Sequence, residues 1–170
     1  MREAVPTISR LGVLWDATIG AVQFQATEVA ARDARIELHS LPIQRAGDLD
    51  SVFNSAVSGR VEGMVILSSP LINVERLHIA DLALKNRLPT ISLFTEFPKS
   101  GALLAYGPNL PDMYGRAASY VDRVLKGAKA SDLPIERPTR FELVINLKTA
   151  KALGLDVPPL LQQRADEVIE

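Results

Sequence analysis

Apolar positions along the chain fall into two alternating periods. Residues 11–15 read LGVLW, a nearly continuous apolar run of strand length, and Ile19, Val22, Phe24, Ala26, Val29 and Ala30 then recur at mostly helical spacing up to Ala34. This predicts a strand followed by a helix. Residues 36–43, IELHSLPI, alternate, and Pro42 places that strand near a sheet edge because proline brings no N–H to a ladder. Asp48 is the expected N-cap of a second helix with Leu49, Val52, Phe53, Ala56 and Val57 on one face, closed by Gly59. Residues 64–69, MVILSS, are apolar without alternation, as in parallel strands covered on both faces. Asn73 is the expected cap of a helix ending at Asn86, before a strand over 90–94. A fifth strand is expected over 101–106. After GPNLP a helix follows over 111–126, stopped by Gly127.

Strand and helix alternating with short connections predict an α/β fold, an open and mostly parallel doubly wound sheet with right-handed crossovers. From residue 128 the rhythm changes. KASDLPIERPTR is a polar connector, FELVINL is strand-like, and KTAKALG and PPLLQQRADEVIE predict a C-terminal helical tail.

The composition narrows the function classes. Hydrophobic residues make up 47% of 170 positions, enough for one domain with a proper core. Lys and Arg number 19 against 20 Asp and Glu, interspersed, so no basic stripe is available for phosphates and no nucleic-acid partner is expected. The absence of cysteine excludes disulfides, iron–sulfur clusters, thiolate zinc sites and a cysteine nucleophile. Apolar runs fall short of the roughly 18–20 residues that span a bilayer, and MREAVPTISR has no apolar signal core. A soluble chain without an export signal is expected.

Ligands of an open parallel sheet sit beyond the carboxyl ends of its strands. The residues expected there are Asp16, Ala17 and Thr18, then Ser68, Ser69 and Pro70, then Phe94, Thr95 and Glu96, and finally Tyr106, Gly107 and Asn109. Only Asp16 and Glu96 are charged. The first turn carries a single glycine, Gly20, so there is no dinucleotide fingerprint, and no P-loop occurs. A phosphoacceptor site fails because the third strand ends in Ser68–Ser69 rather than an acid. No G-x-S-x-G surrounds those serines, which suits hydrogen bonding rather than nucleophilic attack. His39 and His78 fall on an edge strand and a helix and read as surface or half-buried side chains. Asp166 and Glu167 are expected on a solvated face of the terminal helix, pointing different ways. Trp15 either stacks on a ligand or fills space under the first helix. Tyr106 has the same two uses, and Asp16 serves as helix cap or ligand acceptor. No catalytic residue, metal site or cofactor is expected.

The segments RLGVLWD, EGMVILSSPL, ADLALKNRLPTISLFTEF, GALLAYGPNLPDMYGRAASYVDRVLKGAKASDLPIE and TRFELVINLKTAKALGLDVPPLLQQRADEVIE closely resemble the C-terminal half of ABC-transporter substrate-binding proteins of the tryptophan/tyrosine-binding type. The resemblance implies a type I periplasmic-binding fold, in which two α/β lobes joined by hinge strands close on a solute handed to a membrane permease. It implies that residues 10–109 are the second, solute-binding lobe and 110–127 a crossover helix that packs on the first lobe. Residues 128–170 would then be connector, hinge-type strand and terminal helices. The first lobe and its export signal lie outside this sequence, and the location implied is periplasmic or extracytoplasmic. Relatives thought to take aromatic amino acids commonly carry Glu, Asn and Ser in the turn after the first strand. Here that turn is Asp16-Ala17-Thr18-Ile19-Gly20-Ala21-Val22.

The leading expectation is a non-enzymatic component of an importer, binding a small polar solute, an amino acid among the options, and partnered by an ABC permease. Its expected ligand-binding residues are Asp16, Thr18, Ser68, Ser69, Thr95, Glu96 and Tyr106. A small doubly wound enzyme or sensor for a metabolite is a second reading, weakened by the lack of basic residues at the loops. A remnant lobe serving as an oligomeric interaction module is a third. Met113, Ala117, Tyr120, Val121 and Val124 form an apolar stripe at helical spacing, from which a symmetric homodimer is expected, with folding back onto the sheet as the alternative.

Overall fold

The computed structural model describes residue 1 and residues 3–170. Strand β1 (Arg10–Asp16) leads through a 3-10 turn to α1 (Val22–Asp33), then β2 (Glu37–Ile43), α2 (Leu49–Ser58) and β3 (Gly63–Ile66). Two short helices, α3 (Pro70–Val74) and α4 (Arg76–Lys85), precede β4 (Thr90–Ser92), α5 (Glu96–Lys99) and β5 (Leu104–Pro108). The long α6 (Leu110–Leu125) follows, then β6 (Phe141–Asn146), α7 (Leu147–Leu153), α8 (Pro159–Gln163) and β7 (Glu167–Ile169). The sheet order is β2-β1-β3-β4-β5-β6-β7, with β1 to β5 mutually parallel and β6 antiparallel to β5. The mostly parallel, doubly wound α/β fold is as expected, and Pro42 lies on the edge strand.

Three helices end in the same reversal. Arg35, Arg60 and Arg87 adopt positive φ of 52°, 53° and 54°, and the residue after each sends its N–H back into the last helical turn: Ile36 to Ala31, Val61 to Ala56, Leu88 to Ala83. This left-handed stop, usually taken by glycine, returns the chain at once toward the sheet. Strands β2, β3 and β4 therefore start in line, and the loops after them share one edge.

The main core lies between the sheet and α2 to α4, where Leu14, Leu41, Phe53, Met64, Ile66 and Ile79 are buried. Each such side chain contributes about 1.5–3 kcal/mol. A second cluster, including Leu103, Leu104, Ile145, Val157 and Leu161, closes the β5–β6 end.

Several local expectations are corrected. Asp48 does not cap α2, because its carboxylate turns back to accept the N–H groups of Gln44 at 2.9 Å and Arg45 at 3.2 Å. Asn73 caps nothing: Ser69 accepts from the Ile72 N–H at 3.1 Å, Pro70 starts α3, and the helix breaks at Glu75. The fifth strand continues to Pro108, paired with β6. The helical tail is shorter than expected, since α8 stops at Gln163 and residues 167–169 add β7 alongside β6. Asp166 makes that turn by accepting the Leu143 N–H at 2.8 Å, and Glu167 forms an ion pair with Lys99 at 3.1 Å. The β-branched pair Val168–Ile169 suits a strand better than a helix end.

Candidate functional site

The ladder between β1 and β3 runs from Leu11↔Gly63 to Leu14↔Ile66, and the Leu67 N–H adds a last bond to the Leu14 carbonyl at 2.9 Å. Beyond it the two chains separate and open the carboxyl edge. Asp16 is buried there, accepting from the Thr18 N–H at 2.9 Å and the Thr18 hydroxyl at 2.6 Å. Burial acts to raise its pKa, but bonds from the Thr18 hydroxyl and N–H and from the Ser69 hydroxyl outweigh it and hold the carboxyl below its ordinary value. Asp16 is thus an ionised cap, with Thr18 exposed beside it.

The N-terminal turn of α1 forms the wall of this edge. Phe24 stacks on Trp15 with ring centroids 5.0 Å apart, and the Trp15 indole N–H donates to the Ser40 hydroxyl at 3.0 Å. Trp15 is half-buried, so it both packs under α1 and borders the opening. Gln23 reaches across to Ser68, donating to its carbonyl and accepting from its N–H, both at 3.2 Å.

The remaining expected site residues lie farther along the same edge. Thr95 is half-buried at the start of α5, Glu96 is exposed in its first turn, and Tyr106 sits one residue beyond the Ser92↔Ala105 pair. Tyr106 stacks on Phe141 at 5.9 Å. The structure thus gathers Asp16, Thr18, Ser68 and Ser69 into one group, and among the described residues no hydrogen bond joins them to Thr95, Glu96 or Tyr106. Gln23, Phe24 and Phe141 border the site without having been expected there. Helical spacing alone does not show that the Gln23 carboxamide turns toward β3. His39 faces the Ser55 hydroxyl at 3.3 Å, away from the edge, and His78 lies 3.9 Å from Glu75 on α4. Among the described residues no three His, Asp or Glu side chains cluster for a metal, and no helix is long and apolar enough to cross a membrane.

A larger groove of about 640 Å³ lies elsewhere, between α6 and the connector, lined by all five residues of the α6 stripe together with Leu133 and Ile135. No residue of α6 is buried. The stripe does not fold onto the sheet; the connector partly covers it, the Tyr120 hydroxyl donating to the Pro134 carbonyl at 2.7 Å and Arg116 pairing with Glu136 at 3.1 Å.

The model of the family described as ABC transporter substrate binding protein matches residues 1–169. The chain belongs to that family. A tyrosine-binding protein of Clostridioides difficile is 22% identical over 157 residues, covering 91% of this chain and 45% of the relative. A conserved domain protein from Vibrio cholerae superposes with a TM-score of 0.90 at 20% identity, over 98% of this chain and 57% of that one. An ABC domain from Streptococcus pneumonia in complex with L-Trp gives 0.89 at 20% identity, over 99% and 57%. The chain therefore spans about half the length of these relatives, and the two solved structures share its fold.

Proposed function

We propose that the chain is the second, solute-binding lobe of an ABC importer's substrate-binding protein, taking a small polar solute of the amino-acid class without chemistry. The observation that carries this reading is the convergence of Asp16, Thr18, Ser68 and Ser69 beside the Trp15–Phe24 wall. Hydroxyl, carboxylate and backbone groups are gathered there with aromatic area beside them, a mixture that suits a small polar solute. Family membership and the ligands named for the C. difficile and S. pneumonia relatives support the solute class. Neither histidine reaches this edge, and Arg45, in the loop after β2, is paired with Asp48 at 3.0 Å, which favours binding over acid–base chemistry or phosphate capture. The partner in this reading is an ABC permease, and the location is extracytoplasmic.

Calorimetry of the chain against amino acids and small organic acids tests the reading. Weak binding is expected, because one lobe supplies only part of the contacts while fixing the ligand still costs entropy. A submicromolar Kd for the monomer, or crystallographic density for the solute at the opposite edge of the sheet, would overturn it.

We also propose that, where no first lobe covers the α6 groove, a second copy of the chain packs there. Val121 and Val124 stay 57% and 46% exposed there, apolar surface that the connector leaves open.

A further inference from the structure

After the last bond between β3 and β1, the peptide of Ser68 turns its N–H and its C=O toward α1. Both meet one side chain, the Gln23 carboxamide, at 3.2 Å each, and among the described residues neither has a backbone partner. Gln23 completes with a side chain what the sheet leaves unmade. The same side chain lines a hollow with Trp15, Ile19, Phe24 and Leu67 of about 10 Å³, room for roughly one water.

We infer that the Ser68 peptide is the head-group subsite for a zwitterionic α-amino acid, and that Gln23 is an internal stand-in which must swing aside when the solute binds. The inference rests on the solute-binding reading above. A carboxamide presents one acceptor and one donor, and an amino-acid head group presents the same pair with full charges. Its carboxylate takes the Ser68 N–H and its ammonium gives to the Ser68 carbonyl, in charge-assisted bonds roughly twice as strong as the neutral ones they replace. The ionised Asp16 carboxylate borders the same hollow and favours the ammonium. Trp15 and Phe24 flank that position, so an apolar or aromatic side chain extending from the head group meets aromatic surface. Gln23 itself is exposed on the first turn of α1, so its rotation displaces no core packing.

The test titrates L-tryptophan, and tryptamine, which lacks the carboxylate, into the wild-type chain and Gln23→Ala. Removing a stand-in held by two neutral hydrogen bonds is expected to tighten L-tryptophan binding about 3- to 10-fold, with less than about a twofold change for tryptamine. Unchanged or weaker L-tryptophan binding by Gln23→Ala overturns the inference and leaves the solute-binding reading standing. An equal gain for tryptamine overturns the head-group assignment. No binding of either compound by either form at millimolar concentration overturns the reading and the inference together.

Discussion

Asn109 fastens two arms of the chain: its Nδ2 donates to the Glu142 carboxylate on β6, while its Oδ1 accepts the Asp112 N–H at 2.7 Å and caps α6. One side chain thus sets where α6 leaves the sheet and ties that point to the returning strand. Asn109→Ala is expected to lose about 1 kcal/mol in urea unfolding. It should also speed proteolysis within the connector. Asn109→Asp keeps the cap but sets a carboxylate against Glu142, so its loss should be recovered by adding Glu142→Gln. Equal behaviour of Asn109→Asp with and without that second change would contradict the link.

Asp16 gives the site a dependence on acid. Its pKa in the folded chain lies below that of the unfolded chain, so its ionised form adds stability above about pH 4, and that contribution disappears as pH falls through the lowered value. Urea midpoints measured between pH 7 and pH 3 should fall more steeply for the wild-type chain than for Asp16→Asn. At pH 7, Asp16→Ala should cost about 1–3 kcal/mol by leaving the Thr18 N–H without its acceptor.

The three left-handed arginines hold a conformation that costs a non-glycine residue roughly 1–2 kcal/mol, partly offset by the greater freedom glycine has when unfolded. Arg35→Gly, Arg60→Gly and Arg87→Gly are each expected to stabilise the chain by about 0.5–1 kcal/mol. A thermal midpoint that drops in all three would mean that the arginine side chains contribute more than the backbone strain.

The proposed dimer is read by sedimentation velocity across a wide concentration range. A concentration-dependent shift to a two-chain species is expected, abolished by Val121→Lys with Val124→Lys. A single monomeric species at high micromolar concentration would rule the dimer out.

The repeating part of the fold was legible because each β-α unit has its own period and its own stop. LGVLW and IELHSLPI form strands, MVILSS does so only as far as Ile66, and Pro42 named its edge. The misassigned caps were competitions between neighbours. Ser69 outranks Asn73 because Pro70 follows it at the first helical position, and Asp48 is drawn to the N–H groups before it. The tail was misread for a non-local reason: Glu167–Ile169 is a strand only because β6 offers an edge. At the carboxyl edge, the strand-end rule named Asp16, Thr18, Ser68 and Ser69, which the fold brings together, but not Gln23. Its role depends on where a helix sits relative to a loop 45 residues away.

The antiparallel pairing of β5 with β6 reaches Pro108↔Phe141, and the Asn109 N–H still bonds the Arg140 carbonyl at 3.0 Å. Whatever lies between those two residues enters and leaves the sheet through neighbouring points, as the loop of a hairpin does. Helix α6 and its connector are therefore a limb rather than a strut. A tight turn joining Asn109 to Arg140 would preserve every strand pairing, and the limb could lengthen, shrink or be exchanged without asking the carboxyl edge of the parallel strands to refold.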